Sequence, residues 1–531
     1  MTSDADLRVA PDALDEPGAL ERLAARAVGV ARDAVTAVTV LRRSVDARHG
    51  APRLVLRVRV WVDEPPAPDP GVDFEARDVA AAEPVIVVGA GPAGLFAALA
   101  LVESGLRPIV LERGRDVRGR RHDVARICRS GEVDPDSNYG FGEGGAGTFS
   151  DGKLYTRSTK RGDVRRVLGL LVRHGAPSDI LIDAHPHVGT NRLPAVVQRL
   201  SRTIRECGGE VLFETRVADF ATKGDRIAGV ELASGERLRA RAVILATGHS
   251  ARDVFELLRR RGVALEAKAF ALGVRVEHPQ ALIDRIQYRV AGRPRGLPAA
   301  SYAIVERVGD RSLFSFCMCP GGIICPAATA PGEVVVNGWS PSSRSSRFAN
   351  SGIVVEVRVS DLAGYADAGP LAGVAYQAAV ERAAWRAGGG ALVAPAQRLA
   401  DFCEGRASRD LPSASYLPGI APADLASVLP RDVAAELREG LRRIGRRMAG
   451  YVTNEAVAVA VESRTSSPVR IPRARESLVH PGLGGLFPCG EGAGYAGGIV
   501  SAALDGTRSA GAAARWLAAE ARPSGARPLS R

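Results

Sequence analysis

The chain has 531 residues, 46% of them hydrophobic, which supports large cores and sets two or three domains as the expectation. Seven cysteines in that length exclude a disulfide scaffold and fit a reduced, cytoplasmic protein. The net charge of +12 raises nucleic acid as a partner, but the basic residues are nearly all scattered arginines, with lysine only at positions 153, 160, 223 and 268, so a generically basic surface is favoured over an RNA-binding face.

Met1-Thr-Ser-Asp-Ala-Asp6 is acidic and lacks an apolar segment, so no signal peptide is expected. Residues 1–63 read as a small α/β module. It has a helix over 20–31, a strand over 37–41 and a strand over 53–62, where Leu54, Leu56, Val58 and Val60 alternate with Arg57 and Arg59. Prolines between Asp63 and Gly71 predict a stiff linker, taken as 64–83. Val85 to Val102 is uncharged and long enough to suggest a membrane span. Gly89, Gly91, Pro92 and Gly94 interrupt it where a strand should turn into a helix, so no membrane role is expected.

That segment reads as a strand over 85–89, a helix over 92–104 stopped by Gly105, and a second strand over 107–111. A helix over 193–207 and a strand from Glu210 follow. Residues 226–232 and 238–245 resemble a β-meander returning to the sheet. From 265 to 450 strands (270–276, 301–305, 333–336) mix with helices (374–385, 431–448), which reads as an inserted substrate domain. The fold class is therefore α/β: a Rossmann-like domain (84–264 and 451–518), mostly parallel sheet with a meander, an inserted α+β domain, the N-terminal module, and a disordered tail over 519–531.

The strand–turn–helix at Val85 to Gly94 carries dinucleotide chemistry. Gly89 permits the tight turn, Gly91 lets backbone approach a pyrophosphate, and Gly94 lets the helix pack on the sheet. Pro92 and Ala93 open the helix, whose N-terminus points N–H groups at phosphate. Glu112, at the end of the next strand and followed by Arg113, is placed to accept from ribose hydroxyls. At the far end of the chain, Gly490-Glu491, Gly494, Gly497 and Gly498 precede an apolar helix starting at Ile499.

This second segment resembles the glutathione-reductase-like FAD superfamily, in which a strand–Gly–Asp segment holds the ribityl and pyrophosphate and the next helix points at the flavin. Glu491 stands where that superfamily has Asp. Ala246-Thr247-Gly248 matches its short Ala-Thr-Gly motif, and Val217 its adenine-holding backbone. Arg43 to Arg48, Gly142 to Lys153, Phe316 to Gly322 and Ser463 to Arg470 are similar to an uncharacterised FAD-dependent dehydrogenase family that places a small module before the flavin fold. The resemblance covers nearly the whole chain and implies FAD binding and a redox role without naming a substrate.

Candidate reactive groups are fewer. Lys153, closing the glycine-dense 142–153 loop, could stabilise an anionic reduced flavin; a solvated loop lysine is the equal alternative. Cys317 and Cys319, with Cys325, form the only cysteine cluster. It lacks histidine and CxxC spacing, so no metal is expected, and small buried packing residues are favoured over a redox dithiol. His249 has a range suited to proton transfer, with a purely hydrogen-bonding role favoured. His185-Pro-His187 reads as a loop.

No second strand–GxGxxG–helix is present, so either a small organic substrate reduces the flavin or NAD(P)H docks as co-substrate without that motif. The leading expectation is an FAD-dependent oxidoreductase moving a hydride to or from flavin N5. The alternatives are an RNA-binding or RNA-modifying flavoprotein and a non-catalytic flavin-bound scaffold.

Overall fold

The parallel sheet at the centre of the molecule follows from five short runs that are apolar on both faces. Its strands lie in the order Leu486–Pro488, Val243–Leu245, Pro84–Val88, Arg107–Leu111 and Glu210–Leu212, all parallel. Val85, Ile86 and Val87 are completely buried, as a strand with helices on one side and further structure on the other requires. A computed structural model describes residues 1–48, 50–67, 71–156 and 161–521.

Two helices pack on the same face of this sheet. Pro92–Glu103 leaves the first strand and Ile499–Glu520 leaves the last. They approach closely because Gly506 has no side chain: a Cβ there would lie 2.0 Å from the Ala93 carbonyl oxygen. The close crossing brings both helix N-termini to the same edge of the sheet.

The meander is its own antiparallel sheet, Val217–Lys223, Arg226–Leu232 and Arg237–Arg239. The segment expected as one strand over 238–245 divides, and its second half joins the parallel sheet. Ala242 to Leu245 is buried on both faces, whereas Arg237 and Arg239 are exposed.

In the inserted region a seven-stranded sheet runs Val305–Val308, Arg311–Cys319, Phe348–Val357, Phe270–Pro279, Val457–Glu462, Ala394–Arg398 and Ile420–Pro422. Helices Ala372–Ala387 and Arg431–Arg447 pack against it. Val457–Glu462, placed by sequence in the flavin-binding part, pairs antiparallel with Phe270–Pro279 in this second sheet. Its six consecutive buried residues suit a central strand of either sheet, so burial pattern alone could not assign it. The strands expected over 301–305 and 333–336 instead begin at Val305 and Val336; Ile304, Val334 and Val335 are buried beside them in irregular backbone.

The N-terminal module is a three-stranded antiparallel sheet, Thr2–Val9, Arg53–Val62 and Val35–Asp46, with helix Ala19–Val28 against it. The helix stops three residues early because Gly29 takes a left-handed cap at φ 73°. Thr2–Val9 gave no strand signal, since only Leu7 and Val9 bury; it is held by pairing and by the Arg59–Asp4 ion pair at 2.8 Å.

The linker expected over 64–83 is not free along its length. Phe74 and Val79 are buried in the core beneath the parallel sheet, and the Val79 N–H donates to the Cys207 carbonyl at 2.8 Å. Residues 68–70 of that stretch lie outside the described residues, as do 522–531 of the expected tail; the last helix runs to Glu520, past the expected boundary. Among the described residues no helix is long and apolar enough to cross a membrane.

Candidate functional site

A cavity of about 1800 Å³ opens at the edge of the parallel sheet where the two helices begin. Gly89 makes the turn with φ 103°, and a Cβ there would meet the Ala246 carbonyl at 2.5 Å. At Gly94 a Cβ would lie 1.9 Å from the Gly89 carbonyl, so this glycine is fixed by packing. Gly91 differs from both: its nearest neighbour would be Gly145 Cα at 3.9 Å, and the space beyond is cavity. No side chain caps helix Pro92–Glu103, so its first amides face that space unpaired by a cap.

The second helix repeats the arrangement. Gly497 and Gly498 have nothing within 4 Å of a Cβ, no side chain caps Gly498, and Ile499 lines the cavity. Thr215 to Val217 and Ala246 to His249 line the wall between. Two uncapped helix N-termini on one cavity, each entered through a glycine that a side chain would fill, fit the diphosphate of a dinucleotide.

Glu112 and Arg113 are both tied into the protein. The Glu112 carboxylate accepts from the N–H groups of Ala90, Gly114 and Gly142 at 2.9, 3.0 and 2.9 Å. A carboxylate has roughly four acceptor positions, which leaves room for one ribose hydroxyl. Arg113 pairs with Asp136 at 2.6 Å and Asp253 at 2.8 Å and lies 4.4 Å over the Phe141 ring. These contacts hold Arg113 in the cavity wall.

The 142–153 loop links the cradle to the inserted domain. Gly145 packs on Gly91 and Gly147 on Pro92 and Ile499, while the Gly144 N–H donates to the Ala90 carbonyl at 2.8 Å. At its other end Lys153 lies 3.2 Å from Asp151 and 3.6 Å from the Cys319 sulfur. Burial opposes the ammonium charge, but Cys319 and Asp151 outweigh it, so the Lys153 pKa is raised. Cys319 is fully buried and burial pushes its thiol up to about 11, which removes it as a thiolate nucleophile at neutral pH. Cys317 is exposed to the cavity at φ 44°.

His249 also lines the cavity, with Nδ1 2.9 Å from Ser250 Oγ. Burial, then Arg464 and Arg252, lower it to about 4. It is neutral near pH 7, and its hydrogen bond to Ser250 is compatible with the hydrogen-bonding role favoured from sequence. Behind it Arg464 and Arg252 share the buried carboxylates of Glu381 and Glu333.

Glu491 is the titratable group that the sequence undervalued. It lines the cavity, and burial, only partly offset by Lys268, raises it to about 7. Its neutral form is favoured in the folded chain, so the folded state loses stability as pH rises from the unfolded value near 4.5 through 7. Glu491→Gln is therefore expected to match the parent near pH 4.5 and to exceed it by about 1–3 kcal/mol above pH 8. Denaturant melts of both proteins at the two pH values check this; an equal gap at both would assign the effect to something other than ionisation.

The cavity wall also includes parts that sequence reading left outside the site. From the N-terminal module come Pro11, Leu14, Arg43 to Val45, Ala47 and Arg48 (His49, adjacent, is outside the described residues). Arg43 is anchored to the flavin-binding half: its N–H donates to the Ile182 carbonyl at 2.8 Å and its guanidinium pairs with Asp183 at 2.7 Å. His187 and Arg344 face the same space. No periodicity or spacing relates these segments, so only the folded chain reveals that they meet.

Comparison with known proteins agrees with this geometry. A model described as FAD-dependent protein, C-terminal domain-like, matches residues 269–465, one for FAD dependent oxidoreductase 172–314, and one for NAD(P)-binding Rossmann-like domain 87–141. A domain of unknown function matches 1–61. An uncharacterised protein of Clostridium beijerinckii is 38% identical over 516 residues, covering 93% of this chain and 96% of that one. The chain belongs to this FAD-dependent oxidoreductase family.

Other likenesses are more distant. Thiamine thiazole synthase of Aeropyrum pernix is 29% identical over 239 residues, 42% of this chain and 74% of that one. Among solved structures, the flavin-dependent brominase Bmp2 is 16% identical with a TM-score of 0.36, covering 82% of this chain and 79% of that one. A geranylgeranyl bacteriochlorophyll reductase-like protein of Thermoplasma acidophilum is 14% identical with a TM-score of 0.35, covering 82% and 80%. In this family member the cradle at Gly91, the glycines before Ile499 and the walls at 215–217 and 246–248 are the residues that could hold FAD.

Proposed function

We propose that the chain is an FAD-dependent oxidoreductase acting on a small organic substrate, with NAD(P)H as a co-substrate docking without its own Rossmann motif. When bound, FAD supplies hydride acceptance and donation at N5. The observation that carries this reading is the single cavity shared by the dinucleotide cradle and the inserted domain. Its volume of about 1800 Å³ is well above the roughly 300–1,000 Å³ of an ordinary small-ligand pocket, which leaves space for a second molecule beside the cofactor.

The protein's own groups divide the work. Gly91, Ala93 and Gly94 bring amides to the diphosphate, Gly89 makes the turn and Pro92 opens the helix behind them, and Glu112 fixes the loop amides of Ala90, Gly114 and Gly142 beside it. Ala246 to Gly248, Val217, Gly490 and Glu491 flank the cofactor. Gly494, Gly497, Gly498 and Ile499 present the second helix. Lys153 and Asp151 keep a charged pair at the cavity wall beside Cys317 and Met318. Glu491, poised near neutrality, is the group best able to give or take a proton there.

The test is anaerobic titration of the flavin-loaded protein with NADH and then NADPH, followed by absorbance. Bleaching within seconds is expected with one of the two. A flavin that stays oxidised with both would remove NAD(P)H and leave an organic reductant.

A further inference from the structure

Beyond the cradle, the cavity extends between the N-terminal module and the inserted domain, and the chemistry of this lobe is one-sided. Six basic side chains line it: Arg43, Arg48, Lys153, Arg289, Arg344 and Arg447; Arg48 pairs with Asp46 at 2.9 Å and Arg447 with Glu306 at 3.1 Å, so Arg289 and Arg344 are the ones without a close carboxylate among the described residues. They face three carboxylates, Asp15, Asp151 and Asp183, each of them within 4 Å of an arginine or lysine nitrogen. Asp183 is held by Arg43 at 2.7 Å, and Asp151 accepts from Ser340 and pairs with Lys153.

Two nitrogens on the same wall lack a hydrogen-bond partner among the described residues, as does the Asp151 Oδ2 that pairs with Lys153. The nitrogens are Arg344 Nε and His187 Nε2, both inaccessible to solvent. Arg344 comes no closer to a carboxylate than 3.9 Å, at Asp151. His187 pairs with Lys153 through a backbone bridge, so the three side chains share one patch of the wall. Arg289 has no ion pair among the described residues. Buried donors without acceptors are rare in proteins and call for a partner. Arg344 also adopts left-handed backbone, φ 49°, a conformation that costs a side-chain-bearing residue stability and recurs at ligand clamps; the φ of 57° at Arg289 is the left-handed cap that ends helix Gln280–Tyr288.

We infer that this lobe is the substrate's oxyanion site, with Arg344, His187 and Lys153 binding a carboxylate or phosphate group and Arg289 facing it across the cavity. The assignment rests on the proposed oxidoreductase reading only for the word substrate. A planar guanidinium with a free Nε offers a carboxylate or phosphate two parallel N–H donors, and lysine adds a point charge. The substrate class is thus a small organic acid or phosphate ester whose uncharged end reaches toward the flavin-binding half.

The test is calorimetric titration of the full chain, with and without added FAD, using benzoate, phenyl phosphate and the uncharged benzyl alcohol. Saturable binding of benzoate or phenyl phosphate, but not of benzyl alcohol, is expected, and whichever anion binds more tightly identifies the source. In Arg344→Gln the affinity should fall at least tenfold while FAD content stays at the parent level. Arg344→Lys, which keeps the charge but loses the fork, should fall between the two and covers the case in which the glutamine variant does not fold. Absence of saturable anion binding in the parent, or equal affinity in Arg344→Lys and the parent, would overturn the inference. Because binding heat and flavin content are read separately, a chain that binds the anion yet takes up no FAD would reject the cofactor reading alone.

Discussion

Gly91→Val is expected to give a folded, colourless protein. A Cβ at Gly91 meets nothing closer than 3.9 Å, so the chain itself has room for it. The added methyl groups fill the space in front of helix Pro92–Glu103, where the cofactor's diphosphate must approach the uncapped amides. Loss of that approach should weaken FAD binding by at least about 100-fold, roughly 2.7 kcal/mol. Gly94→Val separates cofactor exclusion from misfolding. Its Cβ would sit 1.9 Å from the Gly89 carbonyl oxygen, a backbone clash that no rotamer relieves. That variant should be insoluble or unfolded, whereas Gly91→Val should melt close to the parent measured without FAD. Flavin absorbance and thermal melts of both variants check the contrast.

The second large effect is expected at Arg464. Its guanidinium donates to Glu333 at 2.9 Å and to Glu381 at 3.1 and 3.2 Å, with Thr329 as a further acceptor. Arg252 reaches the same two carboxylates from the helix Arg252–Arg260, and Ser463 donates to Glu381 at 2.6 Å. Burial acts against the Glu381 charge, yet Arg464 and Arg252 hold it well below the usual range. Arg464→Met leaves two buried carboxylates to one cation, a loss of about 3–5 kcal/mol near neutral pH.

The sign with pH is fixed by the same pair. A carboxylate depressed in the folded state contributes stability that is present above its unfolded pKa and lost as pH falls through the folded one. The methionine variant forfeits that contribution, so its deficit should be largest at pH 7–8 and shrink in acid, where its carboxyls protonate. Chemical denaturation of parent and variant across this range measures it; a deficit constant with pH would assign the cost to packing.

Much of the fold was legible because the relevant signals are local. The buried run Val85 to Val88, the glycines at 89, 91 and 94 and the apolar stretch after Ile499 each announce one element, and the parallel sheet brings both helix starts to one edge. Burial patterns were less decisive where both faces of a strand are covered: Val457–Glu462 gave no hint of which sheet it enters. Thr2–Val9 was invisible because its polar residues hide a strand that pairing alone maintains.

The site was legible in its cofactor half and not in its far half. Lys153 and Asp151 belong to one loop and could be found as a motif, but His187, Arg344 and Arg43 come from three segments with no shared spacing. Roles were less legible than positions. His249 lines the cavity, where burial beside two arginines keeps it neutral near pH 7, and Glu491, read as a substitute for an aspartate, is the carboxyl tuned to neutrality.

The most direct measurement of the central claim is FAD stoichiometry. Purified protein, saturated with FAD and freed of excess, would be denatured and the released flavin counted against chain concentration. About one FAD per chain in the parent and almost none in folded Gly91→Val is the expected result, because the cofactor's diphosphate and that side chain compete for the same space. A parent chain that retains no FAD, or a Gly91→Val chain that retains the full amount, would contradict the placement of the cofactor at the two helix N-termini.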